Sequence, residues 1–138
     1  MKKIAGVFLL CMLIGGCGTG LEQLRLENQQ NLVKLSIGMT KQEVMGTMGY
    51  KTASDDYLGR VYYTPKSVLS ASNPYRTEIL QGKEKTFEVL YYYTDVKKDD
   101  GAITDDELTP LVFDNGKLIG WGWSFLDQNI QKYEIRFR

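Results

Sequence analysis

The segment Thr40-Lys41-Gln42-Glu43-Val44-Met45-Gly46-Thr47-Met48-Gly49 decides the first half of the fold. It opens with a capping box, in which the Thr40 hydroxyl and the Glu43 carboxylate accept hydrogen bonds from backbone N–H groups at a helix start. Val44 and Met48 are four residues apart and therefore share one face of that helix. Gly49 can adopt the left-handed conformation that ends helices. The segment therefore predicts a helix over 41–48.

A second helix is predicted upstream, over about 21–34. Polar residues fill one of its faces, and the other face carries the stripe Leu21, Leu24, Asn28, Leu32 and Leu35. Asn28 is a polar residue inside this apolar stripe. A helix lying on a membrane surface is the alternative, but such helices carry many Lys and Arg residues on their polar face, and this one does not.

Further along the chain, the pattern changes to that of β-strands. Five stretches are rich in Val, Ile, Tyr, Phe and Trp, namely 61–64, 77–81, 86–94, 110–114 and 117–125. Asp114-Asn115-Gly116-Lys117 predicts a tight hairpin turn, because Asn and Gly tolerate positive φ angles. The alternating segment 133–138 is either an edge strand or a frayed tail. We therefore predict an α+β fold, with two N-terminal helices packed on an antiparallel sheet of three to five strands.

Aromatic residues concentrate in two of the predicted strands. Alternation would give one shared face to Phe87, Val89, Tyr91 and Tyr93, and another to Ile119, Trp121, Trp123 and Phe125. We expect these faces to form the core beneath the helices. On the opposite face, Gly120 and Gly122 would leave a strip without side chains that Tyr92 or a partner strand could approach. An exposed Tyr92, Trp121 or Trp123 would there anchor a protein partner.

The first 17 residues have the pattern of an export signal. Lys2 and Lys3 precede a run of 11 apolar or small residues, Ile4 to Ile14, which is too short to span a membrane. Ile14-Gly15-Gly16-Cys17 resembles a bacterial lipobox, in which the cysteine is acylated and the chain is cleaved before it. We therefore expect a lipoprotein signal peptide at 1–16, a lipidated tether at 17–20 and one domain at 21–138. An ordinary signal peptide or a chance cysteine is the alternative.

The lipid on Cys17 is the only cofactor that we expect. Cys11 lies within the signal and leaves with it, so the mature chain can form no internal disulfide. Two or three acyl chains hold a protein at a membrane more firmly than one chain does. In known lipoprotein sorting, Asp directly after the acylated cysteine keeps a lipoprotein in the inner membrane. This chain has Gly18 at that position. This implies a location on the periplasmic side of the outer membrane if the cell is Gram-negative.

Composition excludes several function classes. The 17 basic residues equal the 17 acidic ones, whereas nucleic-acid binders carry a clustered basic excess. Histidine is absent, which removes Ser-His-Asp triads and His-ligated metal sites. The segment 122–126 begins like a nucleophile elbow but ends in Leu. We therefore predict a protein that is not an enzyme and does not bind nucleic acid.

The segment 96–107 is similar to the second half of a calcium-binding EF-hand loop. Gly101 and Glu107 fit that pattern, but Val96 and Lys98 occupy the positions where the first two carboxylate ligands are needed. We therefore predict no metal site. Instead, Asp105, Asp106 and Glu107 are expected to be solvated and to form a docking surface for a basic partner.

Residues 35–44, together with Met48-Gly49, resemble the signature of the SmpA/OmlA family of small bacterial lipoproteins. The late segment 113–118, Phe-Asp-Asn-Gly-Lys-Leu, matches the Phe-x-x-Gly-x-Leu of that family. The chain departs from the pattern at Tyr50-Lys51, where the family usually has Pro, and in the long stretch 53–81. The resemblance implies two helices packed on a three-stranded antiparallel sheet, a module shared with β-lactamase inhibitor proteins.

The resemblance also implies a function. The best-known member of the family belongs to the outer-membrane β-barrel assembly machinery. We therefore expect a non-catalytic protein-interaction module of the cell envelope, held at the membrane by its lipid, with that machinery as the suggested partner. An enzyme-inhibitor or ligand-binding lipoprotein is the alternative, because fold does not determine function.

Overall fold

The structure is a computed structural model that describes residues 20–57, 67–98 and 100–135. Its elements are α1 (Gly20–Leu32), α2 (Lys41–Met48), β1 (Thr52–Tyr57), β2 (Ser67–Ser72), β3 (Arg76–Gln81), β4 (Thr86–Tyr93), β5 (Leu108–Asp114), β6 (Lys117–Trp121) and α3 (Trp123–Lys132). Strands β1 and β2 form a two-stranded antiparallel sheet, and the other four form an antiparallel sheet in the order β3-β4-β5-β6. The predicted α+β class is confirmed.

Helix α2 has the predicted bounds and the predicted caps. The Glu43 amide donates to Thr40 Oγ1 at 3.2 Å, and the Thr40 amide donates to Glu43 Oε2 at 2.7 Å. Gly49 has a φ of 80°, and its N–H closes the helix on the Met45 carbonyl at 2.9 Å. These local hydrogen bonds explain why sequence alone could define this helix.

The four-stranded sheet is covered on both faces. One face packs against α2 and is lined by Leu90, Tyr92, Leu111, Phe113 and Leu118. The other packs against Leu21 and Leu24 of α1 and Leu126 of α3, and is lined by Phe87, Val89, Tyr91, Tyr93, Leu108 and Val112. The prediction that 87, 89, 91 and 93 share a core face is confirmed. The expectation that the opposite face is open is wrong, because α2 covers it.

The hairpin turn between β5 and β6 is confirmed. Asn115 and Gly116 both have positive φ, at 50° and 75°, as a tight turn between twisted strands requires. The predicted strand over 117–125, however, ends at Trp121. Gly122, with a φ of 90°, redirects the chain into α3, whose first residue is Trp123.

The strip that Gly120 was expected to leave bare is filled. Phe125 folds back from α3, and a Cβ on Gly120 would lie 2.5 Å from its ring. Leu126 is buried and Ile130, four residues on, packs against the same core, which is helical spacing. Glycine at 120 therefore serves internal packing between β6 and α3.

Three further segments differ from expectation or lie outside the described residues. Strands β1 and β2 were not predicted, because their sequences, TASDDY and SVLSAS, are mostly small or polar. The strand predicted at 61–64 lies outside the described residues. Residues 133–135 form neither an edge strand nor a frayed tail: the Tyr133 amide closes α3 on the Asn129 carbonyl, and Ile135 is buried.

Asn28 is fully buried, and its position in the leucine stripe has a structural reason. Its side-chain amide donates to Asn73 Oδ1 at 3.0 Å and to the Tyr93 carbonyl at 2.8 Å. Asn73 in return donates to Asn28 Oδ1 at 2.6 Å and to the Met48 carbonyl at 3.0 Å. The pair thereby joins α1 to the end of α2, to the turn after β2 and to the end of β4.

Candidate functional site at one end of the sheet

The predicted acids Asp105, Asp106 and Glu107 lie at one end of the four-stranded sheet. Strands β3 and β5 begin at this end, and β4 and β6 finish there, because neighbouring strands are antiparallel. The segment 94–107, which links β4 to β5, therefore crosses this end. It includes the three predicted acids. Cys17, the predicted lipidation site, lies outside the described residues.

Glu107 is a structural residue of this segment. Its side chain is buried, with 2% of the residue exposed. Oε1 accepts the Lys97 amide at 2.7 Å and the Lys98 amide at 3.3 Å, while Oε2 accepts the Thr104 amide at 3.0 Å. The expectation that Glu107 is solvated is therefore wrong. A carboxylate that holds backbone amides on both sides of the loop fixes the conformation of the loop.

Asp105 is exposed and forms part of a charged cluster. It accepts a hydrogen bond from Arg76 Nη1 at 2.7 Å. The Arg76 guanidinium lies 4.2 Å from the centre of the Tyr91 ring, and its Nε lies 3.0 Å from Glu78 Oε1. The Tyr91 hydroxyl donates to Glu78 Oε2 at 2.9 Å. Burial, and then this hydrogen bond, raise the pKa of Tyr91 to about 12, so the hydroxyl stays a neutral donor.

The predicted aromatic anchors separate into different environments. Tyr92 is fully buried in the core under α2, which makes it unavailable to a docking partner. Trp121 is 36% exposed and pairs with Leu111, so it lies on the α2 face of the sheet. Trp123 is half-buried on the other face, where its ring centre lies 5.8 Å from that of Tyr91 and its Nε1 donates to the Leu108 carbonyl at 2.8 Å.

Only some of the predicted residues therefore lie together. We define the acidic surface as Arg76, Glu78, Asp105, Asp106 and Trp123. Asp106 is exposed and adjoins Asp105 in the 3₁₀ turn Asp105–Glu107. This surface carries one positive charge against three negative charges.

A cleft of about 330 Å³ lies on the other side of the segment 94–107, between α1 and the β1–β2 hairpin. It is lined by Leu21, Glu22, Arg25, Asp55, Leu69, Tyr93, Val96, Lys98, Gly101 and Ala102. Asp55 accepts the Leu21 amide at 3.3 Å, which ties the start of α1 to β1. Burial raises the pKa of Tyr93 above its usual value.

Sequence reasoning missed the charged residues of both features. Arg25 lies on the polar side of α1, where sequence cannot distinguish it from a solvated residue. Asp55 belongs to a strand that was not predicted. Arg76 approaches Asp105 only through the pairing of β3 with β4. No local pattern marks any of the three.

Two further findings concern the part of the chain that the structure describes. Within it, no group of three or more Cys, Asp or Glu residues is arranged to hold a metal ion. Within the same ranges, the helices are too short or too polar to cross a membrane.

The chain was compared with protein-family models, curated proteins and solved structures. The model of a family described as "Protein of unknown function (DUF3192)" matches residues 19–128. No curated protein and no solved structure matched the chain.

Proposed function

The chain belongs to the DUF3192 family, and we propose that it is a lipid-anchored, non-catalytic protein of the bacterial cell envelope that binds another envelope protein through its acidic surface. The sequence supports the anchor through the lipobox-like ending at Cys17. The resemblance to SmpA/OmlA lipoproteins supports a role in outer-membrane assembly or integrity.

The observation that carries the proposal is the position of the acidic surface relative to the start of α1. Gly20 is the first residue of α1 and lies three residues after Cys17. Three residues of extended chain reach about 10 Å at most, so α1 begins within about 10 Å of the lipidated cysteine. Leu21 and Arg25 line the cleft together with Lys98 and Gly101 of the segment that continues into the acidic turn. Asp105 follows Gly101 by four residues in the same segment, and we infer from this that a partner bound to the acidic surface would lie near the membrane.

The chemistry of the acidic surface favours a basic partner. Its acids outnumber its one Arg by three to one, and Asp105 and Asp106 are exposed. Such charges raise the association rate more than they raise the affinity, and salt weakens this effect. The pKa of Tyr91 is about 12, so its hydroxyl stays protonated and donates to Glu78 within this surface.

Site-directed photocrosslinking in cells tests the proposal. A photoreactive residue in place of Asp106 should crosslink to an envelope protein. The same residue in place of Gln30, which is exposed on α1, should not. Recovery of barrel-assembly components would support the suggested partner, whereas recovery of a soluble hydrolase would support the inhibitor alternative. The same products from both positions, or none from position 106, would contradict the assigned surface.

Association kinetics give a second test once the partner is known. The double variant Asp105→Asn, Asp106→Asn should slow association by about tenfold at low salt and by less at high salt. Asp127→Asn, on the exposed side of α3, removes one negative charge outside the acidic surface and should leave the rate unchanged. An equal effect of both variants would mean that overall charge, and not this surface, guides the encounter.

A further inference from the structure

The cleft between α1, the β1–β2 hairpin and the segment 94–107 has the size of a ligand site. Its volume of about 330 Å³ falls at the lower end of the range for small-molecule pockets. Its apolar lining includes Leu21, Leu69 and Tyr93, which also belong to or pack against the core. The walls of the cleft are thus set by the fold itself.

The charged lining carries both signs. Arg25 and Lys98 are basic, whereas Glu22 and Asp55 are acidic. Arg25, Lys98 and Asp55 belong to none of the ion pairs between described residues. Asp55 would repel a simple anion, and Arg25 and Lys98 would repel a simple cation. The lining is complementary to a molecule that carries one charge of each sign.

Arg25 supplies a second, independent observation. Its Nε is buried and has no hydrogen-bond partner among the described residues. A buried donor without an acceptor is costly, and native proteins rarely keep one without a reason. A guanidinium binds the planar or tetrahedral oxyanions of carboxylates and phosphates through several parallel hydrogen bonds. Arg25 lines the cleft, so an oxyanion bound there would suit its guanidinium.

We propose that this cleft binds a small amphipathic zwitterion, whose oxyanion contacts Arg25 and Lys98 and whose ammonium group contacts Asp55. Leu69 and Tyr93 contact its apolar part. A phosphoethanolamine lipid, with its acyl chains as the apolar part, and a free apolar amino acid share this chemistry. Glu107 is a positioning residue for the site, because it holds the Lys98 amide and hence the loop that forms one wall. The site is independent of the lipid anchor proposed above.

The test uses the full chain, purified in a non-ionic detergent and followed by amide NMR. Glycerophosphoethanolamine represents the lipid head group, and L-leucine represents free amino acids. Glycerol phosphate and ethanolamine each carry one of the two charges. At least one zwitterion should shift the Gly101 and Ala102 amide signals at concentrations up to about 10 mM. Its dissociation constant should be at least about tenfold lower than that of either single-charge compound.

Two variants and their controls assign the contacts. Arg25→Gln and Asp55→Asn should each weaken binding about tenfold or more, while an unchanged amide spectrum outside the cleft shows that the fold is kept. Lys34→Gln on α1 and Asp127→Asn on α3 remove the same charges outside the cleft and should bind as the wild type does.

Three results would overturn the proposal. The first is that neither zwitterion binds. The second is that glycerol phosphate or ethanolamine binds as tightly as the zwitterions do. The third is that the Arg25 and Asp55 variants bind as tightly as the wild type. The second result would identify a simple ion site. Failure of Cys17 acylation would leave all of these measurements unaffected.

Discussion

Asn28→Ala should be among the most destabilising substitutions in the protein. The change deletes three hydrogen bonds: two donated by Asn28, to Asn73 Oδ1 and the Tyr93 carbonyl, and one accepted from Asn73 Nδ2. Each buried polar group that loses its partner costs about 1–3 kcal/mol. Water entering the space left by the amide would satisfy part of the loss. We therefore expect the free energy of unfolding to fall by about 3–5 kcal/mol. This is a large fraction of a typical domain stability of about 5–15 kcal/mol.

Urea unfolding, followed by circular dichroism and tryptophan fluorescence, measures this effect. Asn31→Ala is the matched control on the same helix, because Asn31 accepts only an exposed hydrogen bond from Lys34 at 2.8 Å, and it should change stability by less than about 0.5 kcal/mol. Asn28→Leu completes the leucine stripe but leaves Asn73 without its partner, so it should also destabilise, by about 2 kcal/mol or more. The stabilising role of the Asn28–Asn73 pair would be contradicted if Asn28→Ala lowered the free energy of unfolding by less than about 1 kcal/mol, or if Asn28→Leu raised it.

Three other substitutions test the packing and electrostatics. Gly120→Ala should cost about 1–3 kcal/mol in urea unfolding, because its Cβ would overlap the aromatic ring that covers it, whereas Gly46→Ala, in open space on α2, should stabilise by about 0.5–1 kcal/mol. Glu107→Ala should cost about 3 kcal/mol and speed amide hydrogen exchange over 97–104, while Asp106→Asn should change both little. Stability contributed by Tyr91, whose pKa rises from about 10 in the unfolded chain to about 12 in the folded one, is present below pH 10 and lost as the pH approaches 12. Tyr91→Phe should therefore flatten the alkaline loss of stability, and an unchanged slope would contradict the raised pKa of this buried hydroxyl.

Local signals account for the parts of the fold that sequence predicted. Helix α2 is defined by hydrogen bonds between residues three or four apart, and the β5–β6 turn by the positive φ of Asn115 and Gly116. Both depend on neighbours in the chain and are therefore visible in it. The start of α3 is different, because its aromatic residues are typical of strands, and only the φ of Gly122 converts that segment into a helix.

The candidate site also contains residues that the sequence indicated and residues that only tertiary contacts place there. Asp105 and Trp123 were identified by composition and lie on the acidic surface. Glu107 follows Thr104 at the spacing of a capping box and accepts the Thr104 amide at 3.0 Å, which is a local contact. Its other partners, the Lys97 and Lys98 amides, lie across the loop. Arg76 joins Asp105 only through strand pairing. Tertiary contacts of this kind leave no pattern in the sequence.

The central claim is that the protein is held at a membrane by a lipid on Cys17. Mass spectrometry of the intact protein, extracted from the membrane fraction, tests it most directly. We expect a mature chain that begins at Cys17 and carries a diacylglyceryl group, and a Cys17→Ala variant that is released or left as uncleaved precursor. A mature chain with an unmodified Cys17 would contradict it.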